Sequence, residues 1–139
     1  MDDYKVKQLA VFMENKPGRL TDITHALAEA GVNIRGFSVA DMADFGIFRV
    51  IVHDPDTAKD VLYKMGFTAK ESDVICANVP DKPGGLAGIL DVFSQAGISV
   101  EYMYIIAETK IAFSVEDIDR AIEVLLGAGV ELLPKGAIQ

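Results

Sequence analysis

The chain has one cysteine, Cys76, so no intrachain disulfide can form, and a cytoplasmic setting is expected. Positive charge is also scarce: 13 Lys and Arg stand against 21 Asp and Glu, a formal net charge of −8 with no basic run. Phosphate neutralisation supplies most nucleic-acid affinity, so neither nucleic acid nor an anionic membrane is an expected partner. No apolar run approaches the roughly 20 residues that span a bilayer. The opening Met1-Asp2-Asp3-Tyr4-Lys5 lacks a signal peptide's apolar segment. The two histidines, His25 and His53, show no metal-ligand spacing with Cys76, so no metal and no cofactor are expected. No nucleophile or matched acid and base stands out, and the chain is not read as an enzyme.

Half of the 139 residues are apolar, which makes the chain globular, and the length suits one ordinary domain or two very small ones. A duplication selects two. Asn15-Lys16-Pro17-Gly18-Arg19-Leu20 is echoed by Asp81-Lys82-Pro83-Gly84-Gly85-Leu86 at a spacing of 66. Ala30-Gly31-Val32-Asn33-Ile34 is echoed by Ala96-Gly97-Ile98-Ser99-Val100 at the same spacing.

Each copy reads as β-α-β-β-α-β. In the first, Leu9, Val11 and Met13 alternate on a strand over 7–13, and Leu20, Ile23, Thr24 and Leu27 stripe a helix ended by Gly31. Strands over 32–39 and 46–52 follow, then a helix carrying Ala58, Val61, Leu62 and Met65 that closes at Gly66, then a strand over 67–71. The second copy repeats this with strands over 74–79, 98–106, 110–115 and 130–133. Its helices are striped by Leu86, Ile89, Leu90 and Phe93 and by Ile118, Ile122 and Leu125, the latter closed at Gly127.

Val50 and Val52 match Phe113 and Val115 at a spacing of 63, so three residues are missing from the second copy. They are expected to be lost at the hairpin tip around Ala107-Glu108-Thr109. Right-handed crossovers then place two helices on one face of an antiparallel sheet in the order 4-1-3-2. The expected fold class is α+β, with modules over 1–71 and 74–139. The short Ser72-Asp73 linker predicts a tight hairpin through which the modules exchange their final strands.

Function is legible at the Pro-Gly turns. A helix starting just after a glycine leaves its first N–H groups without partners, and its dipole adds positive potential there, so it suits a carboxylate. Gly18 and Gly84 permit close backbone approach. Asn15 or Asp81 can hydrogen-bond a loop amide, and Asp81 can attract an ammonium group. A zwitterion fits this arrangement better than a phosphate.

The two turns, each followed by a helix and then by Ala-Gly-(Val/Ile)-(Asn/Ser)-(Ile/Val), resemble the ACT domain over nearly the whole chain. The resemblance implies two ferredoxin-like modules, packed side by side into a continuous sheet with amino acids bound at the seam. Carried over, the ligand-facing positions are Asn15, Pro17, Gly18, Arg19 and Leu20 with Asn33 and Ile34. The second set is Asp81, Pro83, Gly84, Gly85 and Leu86 with Ser99 and Val100. Gly85 replaces Arg19 and Ser99 replaces Asn33, so unequal sites are expected. A stand-alone ACT pair implies an allosteric sensor, expected as a homodimer with an amino-acid ligand. It equally implies the regulatory subunit of an enzyme of amino-acid metabolism, such as acetolactate synthase. The plainer alternative is a ligand-free interaction module in which the turns are only structural.

The remaining polar candidates have plain readings. Cys76 reads as a small buried hydrophobe, Tyr102 and Tyr104 as pocket or interface residues, and Glu116, Asp117 and Asp119 as a helix cap with an acidic first turn. An acylphosphatase-like reaction would want an arginine in the first loop; Arg19 is there, but its repeat partner is glycine.

Overall fold

The computed structural model describes residues 2–139. They form two compact units, one of Lys7–Ser72 with Gln139, the other of Asp73–Ile138 with residues 2–6.

In the first unit, β1 (Val6–Glu14) leads through the first Pro-Gly turn to α1 (Arg19–Glu29), then to β2 (Ile34–Met42), β3 (Phe45–Val52), α2 (Pro55–Lys64) and β4 (Thr68–Asn78). The sheet order is β2-β3-β1-β4. Antiparallel register sets Val11 opposite Phe48 and Leu9 opposite Val50, so the alternating apolar residues of both strands share one face. Ile23 and Leu27 of α1 and Ala58 and Leu62 of α2 close the core on that face. At α2, Pro55 takes a first-turn position whose N–H needs no partner, and the Asp54 carboxylate accepts the Thr57 amide at 3.2 Å.

The second unit continues along β4 to α3 (Gly85–Gln95), β5 (Val100–Ala107), β6 (Lys110–Val115) and α4 (Ile118–Gly127), with strand order β4-β6-β5. Ile75 faces Phe113 and Ala77 faces Ile111. The Phe93 and Phe113 rings meet at 5.4 Å in a core completed by Ile89, Ile122 and Leu125. Asp117 caps α4 by accepting the Arg120 amide at 3.2 Å. The fold is α+β, two ferredoxin-like modules with helices on one face of each antiparallel sheet.

Four sequence expectations change. First, Ser72-Asp73 makes no hairpin: the fourth strand of one copy and the first of the next are a single strand, β4. A two-residue hairpin wants positive φ, and outside glycine only Ala43 and Glu108 have it among the described residues. The final strands are not exchanged either. β4 neighbours β1, with Gln8 Nε2 donating to Ser72 Oγ at 3.1 Å, and Leu133 N donates to Cys76 O at 2.8 Å within the second unit.

Second, the predicted strand over 130–133 is reduced to one bridge, Ala77 opposite Leu132, cut short by Pro134, which has no N–H to continue a ladder. The helix before it ends at Gly127, as expected, and the left-handed Gly129, at φ +77, follows its cap residue Ala128.

Third, the hairpin tips did not absorb the deletion. Both are two residues long, Ala43-Asp44 and Glu108-Thr109, and the missing residues come from the arms, β5 and β6 being shorter than β2 and β3.

Fourth, the chain ends change place. Tyr4 packs on the second core, and Lys5 pairs with Asp119 at 2.9 Å. The Gln139 side chain accepts from Lys7 N at 3.0 Å and donates to Lys7 O at 3.0 Å and Val52 O at 2.9 Å.

Candidate functional site

The two Pro-Gly turns are built alike. Gly18 (φ +89) and Gly84 (φ +84) sit in the left-handed region at the cap position of α1 and α3, and neither helix has a side-chain cap. Matching bonds fold both turns: Lys16 N to Glu14 O and Lys82 N to Pro80 O, each 2.9 Å, then Asp22 N to Gly18 O and Gly88 N to Gly84 O, each 2.9 Å. The amides of Arg19 and Gly85 are used inside the turn, donating to Lys16 O at 3.3 Å and Lys82 O at 3.0 Å. The next amides, of Leu20 and Thr21 and of Leu86 and Ala87, have no acceptor among the described residues. These pairs of N–H groups, at the positive end of the helix dipole, are the donors each turn can offer a ligand.

The turns differ in what holds them. Asn15 N donates to Asp44 O at 2.9 Å, and its Nδ2 donates to Asp41 Oδ1 at 2.8 Å and Ala43 O at 3.3 Å. Asn15 therefore ties its turn to the β2–β3 hairpin. In the second unit the shorter hairpin meets the chain two residues earlier, where Val79 N donates to Thr109 O at 2.9 Å, and Asp81 is left exposed. Gly85 has its own cause: a Cβ there would lie 2.0 Å from Pro80 O. Its contrast with Arg19, which pairs with Asp22 at 3.4 Å, is thus fixed by packing and not only by recognition.

A cleft opens at each turn. The first, about 490 Å³, is lined by Phe12, Glu14, Arg19 and Asp22 on one side and by Met65, Gly66, Phe67 and Thr68 on the other. The second, about 510 Å³, is lined by Asn78, Pro80, Gly85 and Gly88 and by Ala128, Gly129, Val130 and Glu131. These eight positions correspond one to one, the first four at a spacing of 66 and the last four at 63. The wall facing each turn comes from the chain after the second helix of the same unit. Sequence reasoning missed that wall; the left-handed glycines Gly66 and Gly129, themselves 63 apart, were the available signal.

Charge distinguishes the clefts. Glu14 lies 2.7 Å from Lys16, and this hydrogen-bonded ammonium holds its carboxyl below the usual carboxylate range. Phe12, Phe45 and Phe67 make the first cleft aromatic, whereas Lys82 and Glu131 border a floor of glycines in the second.

Within one unit the remaining carried-over residues stand elsewhere. Asn33 and Ile34, and Ser99 and Val100, follow the far ends of α1 and α3, and an 11-residue helix separates the two ends by about 16 Å. Asn33 N donates to His53 Nδ1 at 3.0 Å, and its carbonyl accepts His53 N at 3.1 Å. Ser99 and Val100 border a separate hollow of about 400 Å³ with Phe93 and Gly97. Of the carried-over residues, Arg19 lines the first cleft and Gly84 and Gly85 line the second, and neither cleft includes the start of its unit's own second strand.

Other candidates take plain places. Cys76 is buried, and burial pushes its thiol up to about 12, away from nucleophilic use. The Tyr102 and Tyr104 rings stack at 6.5 Å, and His25 is exposed. No cluster of metal-ligating side chains occurs among the described residues, and no helix there is long and apolar enough to cross a membrane.

A doubled βαββ-type fold with paired glycine turns defines the class: the chain belongs to the ACT domain pair family, whose model matches residues 4–136. The ACT domain pair is a regulatory module, and no catalytic family is indicated. Among solved structures the chain is similar to protein BT0572 from Bacteroides thetaiotaomicron, at 38% identity over 99% of this chain and 98% of that one, with a TM-score of 0.94. In fold it also resembles the ligand-free regulatory subunit of aspartate kinase from Thermus thermophilus, at 17% identity, 92% and 95% coverage and a TM-score of 0.65. Aspartate kinase from Synechocystis is a further likeness, at 19% identity and a TM-score of 0.61, where 92% of this chain covers 25% of that one. A comparison with curated proteins gives no match.

Proposed function

We propose that the chain is a cytoplasmic homodimeric sensor that binds an amino acid at its glycine turns and modulates an enzyme of amino-acid metabolism. The observation that carries this reading is the repetition of two unspent helix amides, after a left-handed glycine, at matching positions of both units. The ligand carboxylate rests on the amides of Leu20 and Thr21, or of Leu86 and Ala87, in line with the affinity of helix starts for anions. Its ammonium is met by carbonyls near Asn33 or Ser99 of an adjoining module, with Asp81 adding charge attraction in the second turn. Pro17, Gly18 and Arg19, and Pro83, Gly84 and Gly85, shape the turns. Binding acts by stabilising one packing of modules over another, since a ligand shifts an equilibrium only by its differential affinity. An aspartate kinase or another enzyme of amino-acid metabolism is the class of partner that the likeness to a kinase regulatory subunit favours.

Calorimetric titration with the twenty amino acids tests this. Saturable binding that is lost in Gly18→Val or Gly84→Val, with far-UV circular dichroism unchanged, supports the reading. No binding by any of them, in an assay that detects a control ligand, removes it. A ligand-free interaction module would then remain, favoured by the exposed apolar residues on the sheet edges.

A further inference from the structure

We propose that His53 is a proton-controlled positioning residue for the ligand-facing start of β2: its neutral imidazole completes the last rung of the β2–β3 pairing at Asn33, and protonation opens that rung.

Ile34 stands opposite Val52, so the next pair outward is Asn33 and His53. At such a place an antiparallel ladder normally exchanges two backbone hydrogen bonds. One of them is present, with His53 N donating to Asn33 O at 3.1 Å. The return bond goes to the ring, Asn33 N donating to His53 Nδ1 at 3.0 Å. The chain is leaving the sheet here, with Asp54 capping α2 and Pro55 in its first turn. The imidazole nitrogen therefore stands in for the backbone acceptor that a longer strand would supply.

A neutral imidazole that accepts at Nδ1 carries its proton on Nε2, so the proton taken up on acidification goes to Nδ1 itself. The imidazolium has two donors and no acceptor, and it cannot face the Asn33 N–H. Histidine is the side chain that ordinarily changes charge between roughly pH 5 and 8. His53 and Asn33 are both exposed, so the proton reaches the ring without unfolding. On the adjoining elements Glu29 of α1, Arg35 of β2 and Asp56 of α2 are exposed, and no ion pair among the described residues includes His53. Asp54 is the charged group that feels the ring. Its carboxyl, held down first by the Thr57 hydroxyl and then by the Thr57 amide, is lowered also by charge on His53. Protonation thus draws the ring towards the cap of α2 as it frees Asn33.

The second unit lacks the device. Ser99 and Glu116 hold the matching places, and no hydrogen bond joins them among the described residues. Acid sensitivity is therefore confined to the first of the two ligand positions.

The inference rests on the ligand reading of the proposed function for its consequence and not for its chemistry, and two measurements separate them. The first is nuclear magnetic resonance on the isotope-labelled full chain without ligand. Between roughly pH 7.5 and 5.5 the Asn33 amide resonance moves with the midpoint of the His53 ring and loses protection against exchange, while Ser99 stays level. His53→Asn keeps an acceptor oxygen near the place of Nδ1 and flattens the profile, His53→Ala leaves Asn33 unprotected throughout, and His25→Gln changes nothing. An Asn33 amide that ignores the His53 titration, or is equally protected in His53→Ala, overturns the proposal. The second is titration with the twenty amino acids at the same two pH values. Binding weakens roughly threefold to tenfold at the lower pH in the wild type, the worth of one hydrogen bond, and does not weaken in His53→Asn. Equal affinity at both values, with the Asn33 amide released, overturns the positioning role and leaves the sensor reading standing. No binding by any amino acid at either value removes the sensor reading, and the positioning role with it, whatever the Asn33 amide does.

Discussion

The Asn15 side-chain amide lies 2.8 Å from the Asp41 carboxylate and closes the first glycine turn against the β2–β3 hairpin. Among the described residues the second turn has no such latch, because its hairpin is shorter and reaches only Val79. Two turns of nearly the same sequence are therefore held by different hydrogen bonds, for a reason that lies elsewhere in the chain.

Asn15→Ala should loosen the first turn alone. The bond is exposed, so the stability lost is at most about 1 kcal/mol. Hydrogen exchange is the better measurement: the amides of Lys16 and Arg19 should exchange faster, with those of Lys82 and Gly85 unchanged.

Two glycines in one helix should respond in opposite directions to alanine. Gly85→Ala drives its Cβ to 2.0 Å from Pro80 O, a clash of overpacking size, about 1–3 kcal/mol. Gly88→Ala meets nothing within 4 Å and should stabilise α3 by about 0.5–1 kcal/mol. Denaturant unfolding midpoints separate the two.

Acid should weaken the cap of α2. The hydroxyl and amide of Thr57 hold the Asp54 carboxyl below its ordinary value of 3.8, so its stabilising effect is fully present above that pH and is lost as pH falls below it. Asp54→Asn keeps a capping oxygen without the titration, and should flatten this part of the acid limb in thermal melts while changing stability at pH 7 little.

Cys76 should be silent to iodoacetamide at pH 8 in the native protein, since burial keeps its thiol protonated up to about 12. Labelling should appear only as denaturant unfolds the second unit. Appreciable native labelling would show that β4 is accessible, contrary to its burial.

The sequence by itself determined the duplication, the order of strands and helices and the placing of both glycine turns. These follow from local rules: apolar period within an element, and a left-handed residue that only glycine adopts cheaply. Tertiary structure decided what depends on neighbours in space. Ser72-Asp73 runs straight within the single strand β4, and whether 130–133 makes a strand was settled by Pro134. The cleft walls at Met65–Thr68 and Ala128–Glu131 face turns some 50 residues away in the chain, beyond the reach of any local pattern. Likewise Gly85 is explained only by a carbonyl five residues back that folding brings against it.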